Sequence, residues 1–286
     1  MAENPQITLR ESGERAILMP DPYQSGALIL EVDGTPQSHV FAESPDDLFF
    51  EYIRRIGHVI DLFRMPGQPI TAVHLGGGAL TLPRYIAATR PGSRQQVLER
   101  HADLIDFVRE HLPLPSGASI RFRYGDARET LNKLPAGLRG TVDLVVVDIF
   151  AGARTPAHVT SQEFFIEVSR LLTPDGVVVV NVADGPGLAF ARAETATLRS
   201  VLPEVIAIAE AQVLKGRRFG NVVLVGSRSD ALLEWLPRLL AGGPHPAKAV
   251  AGKELVEFIA SAPIVTDATA VPSPSPNKSI FAVKRS

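Results

Sequence analysis

Thr71-Ala72-Val73-His74-Leu75-Gly76-Gly77-Gly78 is the stretch on which the reading of this chain turns. An apolar strand runs straight into three glycines, and a helical pattern follows over 81–89. Glycine has no Cβ, so the backbone can turn sharply and come close to a ligand. In an open α/β sheet such a turn lies at the carboxyl end of a strand, where nucleoside ligands bind. The continuation is Ala79-Leu80-Thr81, not Gly-x-Gly-x-x-Gly, so the dinucleotide fingerprint is absent. Taken alone, the stretch also suits a plain strand-to-helix turn with no ligand.

Outward from this point the chain alternates between strand and helix. Strands are expected over 70–75, 95–98, 119–124, 142–147 and 177–182, with helical periodicity at 81–89, 101–111, 127–134 and 160–172. Runs such as Leu144-Val145-Val146-Val147 and Val177-Val178-Val179-Val180 suit strands buried on both faces of a parallel sheet. Repeated short β-α units imply a doubly wound architecture. Upstream, 7–10, 15–19, 27–32 and 37–41 read as short strands separated by Gly and Pro turns, and 46–63 reads as a helix ended by Pro66-Gly67. Downstream, a helix over 187–201 leads to strands over 205–213 and 221–225, which close the sheet in antiparallel fashion. Helices are expected over 230–240 and 248–261, and the Pro/Ser-rich stretch 271–279 reads as extended or mobile. The turn Lys215-Gly216-Arg217-Arg218 suits either a solvated hairpin or an anion clamp.

Composition narrows the partners. The 286 residues carry a net charge of −2, so neither nucleic acid nor a charged membrane is an expected partner. There is no cysteine, which removes disulfides and thiolate metal sites and fits a cytoplasmic location. No apolar run reaches the roughly 18 residues that span a bilayer. The histidines show no ligand spacing such as His-Glu-x-x-His, and no metal is expected. No Gly-x-Ser-x-Gly elbow marks a hydrolase.

Three acids stand at the carboxyl ends of successive strands: Glu99, Asp126 and Asp148. In a parallel sheet all three face the same edge as Gly76, Gly77 and Gly78. Such a set suits a nucleoside site, in which one acid accepts from a ribose diol, another accepts from an adenine amino group, and a third faces a cationic centre. Any one of them could equally be a helix cap.

Over residues 25–227 these features resemble the spermidine synthase family, the polyamine aminopropyltransferases. Val32-Asp33-Gly34-Thr35-Pro36-Gln37-Ser38 is similar to the family's hairpin, and 46–58 to its following helix. The glycine turn is similar to Gly-Gly-Gly-Asp-Gly-Gly, Gly125-Asp126-Ala127 to Gly-Asp-Ala, and Asp148-Ile149-Phe150-Ala151 to Asp-Ser-x-Asp. Thr173-Pro174-Asp175-Gly176 resembles the family's Leu-Lys-Pro-Gly-Gly turn. The resemblance implies that Glu99 holds the ribose, Asp126 and Ala127 the adenine, and Gly76 to Gly78 admit the ligand. It assigns Asp148 the catalytic role, with Gln37, Tyr52 and Phe150 at the substrate side.

The departures fall at the reacting centre. Two acids of the family's amine site are Ala79 and Ala151 here, and Glu51 is a candidate replacement. Arg84 is either a partner for a ligand carboxylate or a solvated helix residue; His74 is either a satisfied core histidine or a base. Arg154, in the loop expected to cover the site, would repel a polyamine.

The fold expected is thus α/β: a Rossmann-like, class I methyltransferase-type sheet at 66–241, preceded by a small N-terminal β domain with its linking helix at 1–65 and followed by a C-terminal appendage at 242–286. The expected function is a spermidine-synthase-like transferase binding S-adenosylmethionine, its decarboxylated form or methylthioadenosine, with a depleted amine site. A class I methyltransferase and a non-catalytic adenosyl-ligand binder are the alternatives. The acceptor is a small molecule, an amine among the candidates, and resemblance alone implies a homodimer.

Overall fold

The computed structural model describes residues 3–152, 154–230 and 234–275. Strands β1 (Gln6–Thr8), β2 (Arg15–Pro20), β3 (Ala27–Val32) and β4 (Thr35–Phe41) form a four-stranded antiparallel sheet in sequential order. Helix α1 (Glu51–Leu62) then leads into β5 (Thr71–Leu75), α2 (Thr81–Thr89), β6 (Arg94–Glu99), α3 (Ala102–His111), β7 (Ser119–Tyr124), α4 (Ala127–Asn132), β8 (Val142–Val147), α5 (Gln162–Ser169) and β9 (Leu172–Asp184). The remainder is α6 (Ala189–Arg199), β10 (Glu204–Ala209), α7 (Ala211–Leu214), β11 (Gly220–Ser227), α8 (Leu236–Ala241), β12 (Lys248–Val250) and α9 (Gly252–Ile259).

The second sheet has eight strands in the order β12-β10-β11-β9-β8-β5-β6-β7. β7, β6, β5, β8 and β9 are parallel, while β11, β10 and β12 complete the sheet antiparallel. From β5 the chain winds outward through β6 and β7 and then returns to β8 on the other side. The switch point of the topology therefore lies between β5 and β8, where a crevice opens beyond the strand ends. Every residue of β5 is buried, as is Leu144–Val147, in keeping with strands covered by helices on both faces.

Two apolar layers cover the large sheet. One, with α1 and α2, joins Ile53, Ile56, Leu82 and Ile86 to Leu144, Val146, Val177 and Val179. The other joins Phe164, Phe165 and Val168 of α5 to Val145, Val147, Val178 and Val180. A third cluster seats the N-terminal sheet, through Leu18, Leu30 and Val40, on Ala79, Leu80, Ile105 and Val108. The main-chain N–H of Arg10 donates to Asp103, and the Thr81 hydroxyl to the His39 carbonyl, at the same junction.

Several expected elements shift. The 205–213 strand stops at Ala209, because Ala211–Leu214 turns helical and buries Val213 against Gly220. Residues 248–250 are a strand, not the start of a helix, because they pair with β10 at the sheet edge. Thr173–Gly176 sits inside β9 as a bulge: the register with β8 passes from Val142–Leu172 directly to Leu144–Val177. In the Pro/Ser-rich stretch, Ser273 is fully buried, its N–H donating to the Thr155 carbonyl and its hydroxyl accepting from the Thr155 N–H; residues 276–279 lie outside the described residues. So do residues 231–233 of the helix expected over 230–240.

One buried acid opposes stability. Glu194 of α6 is buried, and its Oε1 has no hydrogen-bond partner. Burial pushes its carboxyl well above the ordinary range. The native state thus binds this proton more tightly than the unfolded chain, so the penalty is absent at low pH and grows as pH rises above about 4.3. Glu194→Met should stabilise the protein at pH 7.5 by about 1–3 kcal/mol, the cost of an unsatisfied buried group. Urea melts at pH 7.5 and pH 4 check this: the gain must shrink at the lower pH.

Candidate functional site

A cavity of about 610 Å³ opens at the switch point. Gln37, Tyr52, Gly76, Gly77, Gly78, Glu99, Asp126, Ala127, Asp148 and Phe150 all line it. Its size falls within the range of small-molecule sites.

The glycine turn is shaped by its neighbours. A Cβ on Gly76, whose φ is +98°, would lie 2.1 Å from the Asp148 carbonyl oxygen. On Gly78, at φ +49°, it would meet the Ser38 hydroxyl at 2.6 Å. The Ser38 hydroxyl accepts from the Ala79 N–H at 3.0 Å, so the N-terminal sheet pins the turn from outside. Leu80 continues the turn in left-handed backbone at φ +61°, a conformation costly for a side chain with a Cβ.

Glu99 holds the turn from the other side. Its Oε2 accepts from the Gly77 N–H at 2.8 Å, and its Oε1 from the His101 N–H at 3.0 Å. Since a carboxylate offers about four lone-pair sites, each oxygen keeps one for a further donor. Asp126 is the N-cap of α4: its Oδ1 accepts from the N–H groups of Arg128 and Glu129, and its Oδ2 lies 2.7 Å from His158 Nε2. Burial would raise the Asp126 pKa, but the Glu129 and Arg128 N–H bonds and His158 outweigh it and hold the carboxyl below its ordinary range. The capping alternative therefore holds for Asp126 alongside its place in the cavity.

At the opposite end, Asp148 accepts from Asn181 Nδ2 at 2.8 Å and pairs with the Tyr52 hydroxyl. Burial pushes its carboxyl up to about 6, against the pull of the Asn181 and Tyr52 hydrogen bonds. The same burial, with Asp148 beside it, raises the Tyr52 phenol, which stays protonated. His74 lines this end too, with its Nε2 2.9 Å from Gln95 Oε1; burial lowers it to about 4, leaving a neutral imidazole. It is thus a satisfied, buried histidine that reaches the cavity wall. Ile53, Leu82, Pro83 and Val146 complete the wall with apolar surface.

Other expected roles move. Ala79 is fully buried beneath the N-terminal sheet and does not line the cavity, whereas Ala151 does. Glu51 pairs with Arg55 and points away from Asp148, toward His245. Arg84 is neither solvated nor at the ligand: it is buried and donates to the Leu112 and Pro113 carbonyls that end α3. Arg154 donates to the Ser273 carbonyl at 2.6 Å instead of facing the cavity. Gln37 Nε2 donates to the Gly152 carbonyl at 3.3 Å, tying the hairpin to the covering loop. Arg218 pairs with Glu210, so the basic turn is internally neutralised in part. Among the described residues no cluster of His, Asp or Glu is arranged to hold a metal, and no helix is long and apolar enough to cross a membrane.

Sequence reasoning missed Asn181 and Asn221. Asn181 stands directly after four valines, the same signal that singled out Asp148. Asn221 carries no local signal, because its partner is 40 residues away.

No family model matches the chain. A probable spermidine synthase from Corynebacterium glutamicum superposes with a TM-score of 0.83 at 30% identity, over 93% of this chain and 97% of that one. The chain belongs to the spermidine synthase family. It is a divergent member. The polyamine aminopropyltransferase of Vibrio vulnificus (strain CMCP6) is 30% identical over 165 residues, or 57% of this chain. That match spans about half, 53%, of the Vibrio protein's length. The fold reaches beyond the family: human methyltransferase-like protein 13, solved with SAH, superposes with a TM-score of 0.50 over 68% of this chain at 18% identity. The sheet of this spermidine synthase relative is therefore one that methyltransferase-like proteins also use.

Proposed function

We propose that this chain is an aminopropyltransferase-like enzyme that takes an adenosyl sulfonium substrate, decarboxylated or ordinary S-adenosylmethionine, with methylthioadenosine as the product of aminopropyl transfer. The observation that carries this reading is the convergence of Glu99, Asp126, the glycine turn and the Asp148–Tyr52 pair on one cavity at the switch point. The spare lone pairs of Glu99 receive the ribose diol. Asp126 and Ala127 border the adenine edge, with His158 sharing the Asp126 carboxylate. Bound, the sulfonium supplies a good leaving group: the acceptor nitrogen forms its bond to carbon as the carbon–sulfur bond breaks and a neutral thioether leaves.

Asp148 takes the acceptor's proton and orients its nitrogen, with Tyr52 fixing the carboxylate from α1. A carboxyl near 6 is a stronger base than an ordinary one, yet is ionised at neutral pH. The amine site is depleted: Ala151 stands where the family has a second acid, and Asp148 shares its end of the cavity with a neutral His74 and apolar Ile53, Leu82, Pro83 and Val146. Such a wall favours an acceptor with less positive charge than a diamine. The same feature favours methyl transfer to a small acceptor as the second reading. Mass spectrometry of products from both sulfonium donors separates the two.

Calorimetry with methylthioadenosine and S-adenosylmethionine tests the reading. Binding is expected, and Glu99→Gln should weaken it by about 1–3 kcal/mol, the worth of charge-assisted hydrogen bonds. No binding by the natural sequence, or binding indifferent to Glu99→Gln, overturns the adenosyl site.

A further inference from the structure

We propose that Asn181 and Asn221 are positioning residues that hold the Asp148 carboxylate in its proton-accepting orientation, through a file of hydrogen bonds across β8, β9 and β11. The proposal rests on the reading of Asp148 as the group that meets the acceptor.

Strand register places the three side chains in one row. Val146 is paired with Val179, and Asn181 with Val223. Since residues two apart share a face, Asp148, Asn181 and Asn221 all stand on the face covered by α1 and α2. Asn221 Nδ2 donates to Asn181 Oδ1 at 2.9 Å, and Asn181 Nδ2 donates to Asp148 Oδ1 at 2.8 Å. A side-chain amide has one accepting and one donating end. With its oxygen engaged by Asn221, the buried Asn181 can present only its NH2 to Asp148. That geometry serves an anion: a protonated acid would gain less from a donor aimed at its oxygen. Direction thus passes from the antiparallel half of the sheet into the catalytic end of the cavity.

The other polar groups around Asp148 do not duplicate this role. Tyr52 donates from α1, while His74 from β5 is neutral and engaged with Gln95. Glu99 and Asp126 accept from main-chain N–H groups on the β6–β7 side, and Asp126 also pairs with His158. Beyond Asn221, Arg218 is paired with Glu210, and Arg55 with Glu51.

The test is a carboxyl ¹³C NMR titration of the full chain without ligand, with Asp148→Asn identifying the resonance. Asn221→Ala removes the amide that directs Asn181. Asn221→Leu keeps the volume, adds no charge and removes the donor, which covers the case in which the alanine variant fails to fold. Both should move the Asp148 midpoint upward by about one unit, as expected when a hydrogen bond to the charged form is lost. The acid limb of turnover should move with it, while methylthioadenosine affinity stays within about twofold, since neither asparagine lines the cavity. A merely structural role would lower the melting temperature and leave the titration in place. A midpoint unmoved in the folded variants overturns the relay. Failure of the functional reading is a separate result: the natural sequence would bind no adenosyl ligand, whatever the titration shows.

Discussion

Asp148→Asn is expected to lower turnover by about 10²–10⁴-fold, the range for loss of a general base, and to leave adenosyl affinity within a few-fold. The reason is position. Asp148 sits with Tyr52 and His74 at one end of the cavity, whereas Glu99 and Asp126, the groups proposed to hold the nucleoside, belong to the β6–β7 side. An interaction made with the acceptor as it loses its proton appears in kcat, not in ligand affinity. The proposed activity should decline as pH falls through about 6, where burial places the Asp148 carboxyl. Stability moves the opposite way. Because the native carboxyl is raised above its ordinary value, the folded state gains from the proton. That gain is full below about pH 4, declines as pH rises to the native value, and is gone above it. At pH 7.5 the asparagine variant should therefore be the more stable protein, by about 2–3 kcal/mol, and the two should converge near pH 4. Paired kinetics, calorimetry and urea melts check all three parts. A variant with unchanged turnover in an active preparation removes Asp148 from the chemistry; one that is less stable at pH 7.5 contradicts the desolvated carboxylate.

The second large effect is structural. Gly76→Ala should cost about 3–5 kcal/mol, combining left-handed backbone with overpacking against an immovable neighbour. The neighbour is the Asp148 carbonyl oxygen, 2.1 Å from the position of the new Cβ. Relief requires β5 and β8 to separate at the switch point, which also dismantles the cavity. Gly117→Ala is the control: its φ is +79°, but nothing lies within 4 Å of the added atom. It should show the backbone cost alone, about 1–2 kcal/mol. Denaturant midpoints of the two variants decide the matter, and equal losses would falsify the close approach of the strands.

Much of this was legible in the sequence for physical reasons. Short, β-branched apolar runs such as Val177–Val180 suit strands buried on both faces, and their alternation with helical periods implies a largely parallel sheet. Strand direction then sends Glu99, Asp126 and Asp148 to one edge without any knowledge of contacts. Helix 81–89 was readable to the residue because Gly78 precedes it and Pro91-Gly92 follows. Local signals misled where a long-range partner decided. Lys248–Val250 has no strand pattern of its own and is extended because β10 offers an open edge. Arg84 looks like a solvated helix residue and is buried because the end of α3 presents carbonyls to it.

The sequence by itself determined the parallel core, the glycine turn and which acids share its edge, since these follow from periodicity and chain direction. Tertiary structure alone decided what each group does there. Ala79 faces the core because the N-terminal sheet lies on it, and Glu99 is engaged with the Gly77 N–H. Asp148 is raised because α1 covers it, and it is oriented because Asn221 on β11 directs Asn181 on β9. Ionisation and orientation depend on desolvation and hydrogen-bond partners supplied by segments far away in the chain, and no local pattern encodes them.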